Sequence, residues 1–355
     1  MEQYIGCDAH RRYSVFVSMD EKGNISKPVR VEHERREIRG FLRRLPPGTP
    51  VAVEATGSWY WLVDEIEAAG LEPRLAQPFA ARRMLGGGAK TDAIDARALA
   101  TLLRNGTLPE SWIPSSELRD LRNLMRTRLG MREYQSGIKN RVVAAVNRYG
   151  LREPDDDHDL FRGKGRVRLA VYLGQLPPHT REGAIREWAL VDELEHQIDG
   201  LEVRLKELLR PSSGAQRLKT LPGVGEILGA TIYLEIGAIT RFPCAQHLAS
   251  YAGLVPVVHS SGGKTFHGPS SKRSNHYLRW AFVEAANAIV CHRKKHPDWH
   301  ATRLYERLRA AKGHQKAAVA VARHLAESAW WILAKGQSYR APQPAARVVS
   351  SSSNG

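Results

Sequence analysis

Over the first eighty residues the hydrophobic period switches in a fixed order, and that order restricts the fold more than any single motif. YIGCDAH, YSVFVSM and KPVRVEH are short runs rich in β-type residues, and the turn-like DEKGN separates the last two. They predict an antiparallel meander. A polar helix is expected around residues 33 to 44, ending at LPPGTP; VAVEAT then reads as a buried strand, WYWLVDEIEAAG as a helix and EPRLAQ as another strand. Strands followed by alternating helix and strand predict an α/β layer with a mixed sheet. In that layer Asp8 closes the first strand, Glu54 closes the fourth, and Asp92 with Asp95 opens a later helix.

The pattern then becomes helical. From Ser115 to about Tyr149, Leu118, Leu121, Met125, Leu129, Ile138, Val142 and Tyr149 keep an approximate helical spacing, interrupted at most by Gly130 and Gly137. The polar stretch REPDDDHDLFRGKGRVR, 152–168, reads as a linker or surface loop. In a second long helix Val191, Leu194, Ile198, Leu201, Leu205 and Leu208 are spaced 3, 4, 3, 4, 3, the apolar seam of a coiled coil. That seam could face the first long helix or a second subunit. A mostly helical domain is expected from Gln216 to about Lys335, and the low-complexity tail APQPAARVVSSSSNG predicts disorder. The expected domains are therefore 1–110, a helical assembly region at 111–215, a carboxy-terminal domain at 216–337 and a tail at 338–355.

Charge narrows the partners. With 53 Lys and Arg against 37 Asp and Glu, the formal charge is +16, a field that attracts polyanions such as nucleic acid. No apolar run approaches the ~20 residues that span a bilayer, and MEQYIGCDAH lacks the basic and apolar regions of a signal peptide. A cytoplasmic protein with no membrane partner is expected. Cys7, Cys244 and Cys291 are odd in number and far apart, which argues against a disulfide framework and against a zinc site.

The four acids admit two readings. Thr91 or Asp92 could cap a helix whose positive end Asp95 favours, with Asp8 and Glu54 as isolated charges. Alternatively, acids from two strands and a helix converge on one or two hard cations, because magnesium takes carboxylate, water and phosphate oxygens. Carboxylates that interrupt apolar strands are costly unless compensated, which favours convergence for Asp8 and Glu54. The basic neighbours Lys90 and Arg97 could compensate these acids or hold phosphate.

These residues carry a family resemblance. IGCDAH, VEATGSWYW and KTDAIDARAL resemble the first-strand, VEATG and KTDxxDA motifs of the IS-one-ten family of insertion-sequence transposases, the bridge-RNA-guided recombinases. The resemblance extends over nearly the whole chain. It implies an RNase-H-like (RuvC-type) fold for residues 1 to about 110, with Asp8, Glu54, Asp92 and Asp95 as a DEDD set that binds Mg2+. It also implies a bacterial protein acting at the nucleoid.

In the second half, LKTLPGVGEILGATIYLEIG places PGVG between apolar helical stretches. Such a turn either joins helices without a ligand or, as in a helix-hairpin-helix, offers the backbone N–H groups around Gly223 and Gly225 to a DNA phosphate. The stretch 251–280 reads as a Gly-, Ser- and Lys-rich loop in which Lys264, Lys272, Arg273 and Arg279 are available to phosphates. A serine in such a loop is ordinarily a turn former, and its hydroxyl is a weak nucleophile without a basic partner. GLVPVVHSSGGK nevertheless resembles the family segment that carries a catalytic serine, which places that residue at Ser261, with Ser260 its neighbour and competitor. SKRSNHYLRWAF resembles the family's SKxGNxxLRxAL, with Ser274 where glycine is common, a change that bears on the loop's backbone geometry.

The resemblance thus implies a site-specific DNA recombinase in which Ser261 forms a covalent phosphoserine link to DNA, assisted by Mg2+. It further implies donor and target DNA chosen through a structured noncoding bridge RNA, and a homo-oligomer, dimer or tetramer, whose subunits bring the two halves of the active site together. Two rival readings stay open: a metal-dependent Holliday-junction-type nuclease that uses water, and a noncatalytic nucleic-acid-binding protein whose acids only cap and solvate.

Overall fold

The computed structural model describes residues 2–85, 91–153, 159–261, 264–270 and 274–341. The chain divides into two compact units, Met1–Arg119 and Asp120–Gly355.

The first unit begins with β1 (Gln3–Ala9), β2 (Tyr13–Asp20), β3 (Val29–Glu32), α1 (Arg35–Leu42), β4 (Pro50–Glu54) and α2 (Trp59–Ala68). It continues with β5 (Glu72–Ala76), α3 (Pro78–Leu85), α4 (Asp92–Arg104) and β6 (Glu110–Ser111). The sheet runs β3-β2-β1-β4-β5-β6. The first three strands form the antiparallel meander, β4 and β5 continue in parallel with β1, and β6 closes the edge antiparallel to β5. This mixed sheet is consistent with the RuvC-type expectation.

Strand alternation separates two cores. Ile5, Cys7, Val51 and Val53 point to one face and pack with Ile38, Leu42, Leu62 and Ile66 of α1 and α2. Burial among these side chains pushes the Cys7 thiol up to about 12, so it stays an inert packing group. On the other face Ala52 and Ala76 pack with Leu99, Leu102 and Leu103 of α4, and Val15 and Val17 with Ala96. The crossing of α4 over β1 is unusually close. A Cβ on Gly6 would stand 1.9 Å from the Ala96 carbonyl oxygen and 2.6 Å from the Ala100 nitrogen. Glycine on the strand and alanines on the helix thus let two backbones touch. Replacing Gly6 by Ala is expected to cost about 3 kcal/mol of stability in urea unfolding, because neither backbone can yield as a flexible side chain would. The aromatic run after β4 is structural as well: Trp59 and Tyr60 lie under the Arg119 guanidinium, which donates to the Tyr60 carbonyl at 3.0 Å and pairs with Asp64.

In chain order, α5 (Ser116–Arg148) leads into the second unit, followed by α6 (Gly163–Gln175), α7 (Pro178–Leu209), α8 (Ser213–Leu218) and α9 (Glu226–Ile236). Next come α10 (Ala245–Tyr251), a hairpin of β7 (Pro256–Ser261) and β8 (Lys264–Ser270), then α11 (His276–His292), α12 (His300–Lys312) and α13 (His314–Lys335). Gly130 and Gly137 do not interrupt α5. Its remainder pairs antiparallel with α7. Arg128 bonds Glu202, Arg132 bonds Glu195 at 2.8 Å, and Arg141 bonds Glu187 at 2.6 Å. Val191, in the α7 seam, is buried with Ile138, Val142 and Val146 of α5, so at this level the seam faces the first long helix of the same chain. Leu208, the last seam position, is exposed, and Leu209 is buried in its place.

Of the stretch expected as a linker, residues 154–158 lie outside the described residues; Leu160 and Phe161 are buried, and α6 starts at Gly163. The two apolar residues anchor the stretch despite its surrounding charge. The stretch read as a loop at 251–280 contains the β7–β8 hairpin, whose strands are separated in sequence only by Gly262 and Gly263. Beyond Ala341 the tail lies outside the described residues.

Candidate active site

In the first unit the pleat and the register place the acids. β1 and β4 pair through Ile5–Val51, Gly6–Ala52 and Cys7–Val53, and one further step sets Glu54 beside Asp8 at the carboxyl ends of both strands. Positions 6 and 8 share a face, so Asp8 points to the side that α4 covers. At the start of α4 the Thr91 hydroxyl accepts from the Ile94 N–H at 3.3 Å, and Asp92 and Asp95 occupy the first turn. Capping and convergence therefore coexist, with Thr91 taking the cap and freeing Asp92 to face the strand.

Asp8 is buried, and His10 Nε2 stands 3.1 Å from its Oδ2 and 3.2 Å from Asp92 Oδ2. The Tyr13 hydroxyl donates to the same Asp92 oxygen at 2.9 Å. Burial pushes the Asp8 carboxyl above its ordinary range; His10 opposes this, while the negative charges of Asp95 and Asp92 add to it. Tyr13 is likewise raised, first by its hydrogen bond to Asp92. Asp8, His10 and Asp92 each offer a ligand atom, all within 4.8 Å of one another. Burial first, and the neighbouring carboxylate charges after it, disfavour ionised Asp8, a cost that a bound cation would relieve, and the oxygen donors suit a hard divalent ion. Sequence reasoning missed His10 and Tyr13. The period of two was the available signal, since His10 follows Asp8 by two residues on the same strand run.

In the second unit the PGVG turn packs against α11. Gly223 has φ +75°, and a Cβ there would lie 2.3 Å from the Ala285 carbonyl oxygen. Gly225, at the amino-terminal cap of α9, has open space around it. A cleft of about 600 Å³ beside the turn is lined by Lys219, Thr220, Trp299, His300 and Tyr339 among others. On the hairpin the backbone register pairs Ser261 with Lys264 and Ser260 with Thr265.

The root of that hairpin is tied to a buried ion cluster. Glu235 on α9 is fully buried and accepts from Arg126 Nε at 2.7 Å and Nη2 at 2.9 Å, while Asn275 Nδ2 donates to it at 2.8 Å. Burial pushes Glu235 up, but the Arg126 hydrogen bonds and charge, with Asn275 and Arg122, outweigh it and hold the carboxyl below its usual range. Asn275 also caps α11 through the Leu278 N–H at 3.1 Å, and its own N–H donates to the Tyr251 carbonyl at 2.8 Å. Ser274 fits without a left-handed backbone, and its hydroxyl packs where a Cβ on Gly253 would be, 2.4 Å away. Glycine at 253 thus makes room for serine at 274.

Two family profiles match the chain. Residues 5–150 match DEDD_Tnp_IS110, described as a transposase, and residues 215–302 match Transposase_20, the transposase IS116/IS110/IS902 family. The chain belongs to this IS110-type transposase family. It is similar to a probable family 20 transposase of Pseudomonas aeruginosa, 28% identical over 86% of this chain and 90% of the relative. It is also similar to the transposase for insertion sequence element IS1111A of Coxiella burnetii, 24% identical over 95% and 91% of the two chains. The transposase for IS1328 of Yersinia enterocolitica is 25% identical over 94% of this chain and 97% of its own.

In this IS110-type transposase the first matched region spans Asp8, Glu54, Asp92 and Asp95, and the second spans the PGVG turn, Glu235 and the hairpin. The structure brings Asp8 and Asp92 together directly, Asp95 within reach of Asp8 electrostatically, and Glu54 beside Asp8 by register. Arg97 and Arg279 are exposed on α4 and α11. Lys90, Lys272 and Arg273 lie outside the described residues. Glu235 and Asn275 were missed as a hydrogen-bonded pair; a single acid inside the apolar run ILGATIYLEIG was the signal. Among the described residues no helix is long and apolar enough to cross a membrane.

Proposed function

We propose that this IS110-type transposase is a site-specific DNA recombinase that cuts and rejoins strands through a phosphoserine link at Ser261. The observation that carries the reading is the meeting of Asp8, Asp92 and His10, their ligand atoms within 4.8 Å of one another, at one end of a mixed sheet in a transposase. Asp8, Glu54, Asp92 and Asp95 hold a divalent cation, Mg2+ by resemblance, which when bound offsets negative charge on the scissile phosphate. Ser261 Oγ forms the new bond to phosphorus as the bond to the 3′ oxygen breaks. The serine proton is lost and the departing 3′ oxygen gains one, leaving a 5′-phosphoserine and a free 3′ hydroxyl. Because the phosphoester is conserved, a second 3′ hydroxyl can reverse the step without an external energy source. The acids and the serine act from different protomers of a homo-oligomer, with the α5–α7 region as an assembly element.

Target choice is assigned to a structured bridge RNA, with base pairing reading sequence and the protein reading RNA shape and phosphates through its +16 charge. Lys264, Lys272, Arg273, Arg279, Lys90 and Arg97 serve phosphates in this reading, and the PGVG amides bind a DNA backbone. Incubation with labelled element-end DNA and the RNA should give an adduct that survives denaturing gels. Hydrolysed ends without an adduct would instead indicate a water-using junction nuclease.

The PGVG assignment is tested at Gly225. Gly225→Ala is expected to weaken DNA binding about fivefold, beyond a stability loss of about 1 kcal/mol or less from alanine at a helix N-cap, since in this reading the added methyl meets the bound phosphate. Gly223→Ala is the contrasting case, costing about 2 kcal/mol of stability with or without DNA, because its backbone is left-handed and abuts Ala285. Unchanged affinity and salt slope in Gly225→Ala would mark PGVG as a plain helix connection.

A further inference from the structure

We infer that His10 is a nitrogen ligand of the carboxylate site and biases it toward Mn2+ over Mg2+. The inference rests on the reading that the acids hold a divalent cation. Ligand atoms ~2.1 Å from an octahedral ion lie about 3.0 Å apart along each edge. His10 Nε2 stands 3.1 Å from Asp8 Oδ2 and 3.2 Å from Asp92 Oδ2, contacts of hydrogen-bond length that match such an edge, so an ion taking the place of the Nε2 proton would find the nitrogen at a ligand's spacing from both carboxylates. A nitrogen so placed need move little to join them around one ion.

The placement is built in rather than incidental. His10 closes the tight turn between β1 and β2, its backbone N–H donating to the Tyr13 carbonyl at 2.9 Å. Its ring packs against Tyr13 with centroids 4.8 Å apart, and Arg30 covers the Tyr13 ring at 3.7 Å. Tyr13 in turn holds Asp92 through its hydroxyl. One aromatic residue thus orients both the imidazole and a carboxylate, the kind of outer support that metal ligands need. Mg2+ demands oxygen ligands and gives up water reluctantly, whereas Mn2+ accepts oxygen donors and imidazole alike. A site of acids alone would separate the two ions little; a site with His10 separates them by the nitrogen bond that only one of them gains.

The alternative role for His10 is a counter-charge that an incoming ion displaces. The two roles predict opposite changes on removal. Titration calorimetry of the full-length protein with MnCl2 and MgCl2 is expected to show Mn2+ affinity falling at least tenfold in His10→Ala, and Mg2+ affinity changing less than threefold. Pulsed EPR of bound Mn2+ should show coupling to a 14N nucleus in the wild type that disappears in His10→Ala and His10→Gln. The His10 side chain is half-exposed and carries little of the core packing, and far-UV circular dichroism checks that both variants are folded. Absent nitrogen coupling, or affinities for both ions that rise together in His10→Ala, would overturn the ligand role and leave the counter-charge. If the wild type takes up no Mn2+, or Asp95→Asn binds it as tightly as the wild type, the carboxylate–cation reading itself fails and His10 with it.

Discussion

Asp8→Asn is expected to lower strand exchange by about 10³-fold while leaving the protein as stable as before, or more so. The two halves of that result have one cause. Asp8 is buried beside two further acids, and its carboxyl is raised by burial and by their charge, so its ionised form is held at a cost. A raised folded-state value means that this cost sets in as pH rises through the ordinary carboxylate range and is complete only above the raised value. Asparagine keeps the shape and a partner for His10 and removes the repulsion. Activity responds in the other direction, because a divalent ion supplies several kcal/mol of charge stabilisation and each ~1.4 kcal/mol is a factor of ten in rate. Recombination assays paired with thermal melts in chelator read both quantities. A variant that loses activity only in proportion to lost folding would make Asp8 a structural acid.

Ser261→Ala is expected to abolish the covalent adduct and reduce recombination by at least about 10³-fold, with Ser260→Ala retaining the adduct. Both serines end β7, and the backbone register alone does not choose between them, so the pair of variants decides the assignment. Binding of DNA and RNA should be unchanged in Ser261→Ala, since only a hydroxyl is removed. A second outcome follows if the acids and the serine come from different protomers: mixing Asp8→Asn with Ser261→Ala should restore activity that neither variant has alone, because some assemblies then contain an intact half from each. Recovery near zero at every mixing ratio would place both halves in one protomer.

The first unit was legible in the sequence because its elements are short and their periods differ. YIGCDAH and VAVEAT alternate or run apolar within turn-bounded lengths, and the observed strands Gln3–Ala9 and Pro50–Glu54 each begin one residue before those readings and end within them. The meeting of Asp8 and Asp92 around His10 needed the fold, since it depends on β1 lying beneath α4. His10 and Tyr13 stayed hidden because a histidine and a tyrosine at a strand turn look like ordinary hairpin residues until the acid opposite them is located. In the second unit, α6 was obscured by the charged residues around Leu160 and Phe161, and the β7–β8 hairpin by the glycines and serines that also build loops. Glu235 was missed for a different reason: its significance lies in Arg126 and Asn275, 109 and 40 residues away in sequence.

The bare-backbone crossing at Gly6, Ala96 and Ala100 has a bearing on how such an element diversifies. The spacing between Asp8 and the acids of α4 is set by main-chain contact, which tolerates almost no variation, and owes little to the side chains on the protein's outside. Substitutions on that outside face can therefore change the surface charge the protein presents while the spacing of the acids stays fixed.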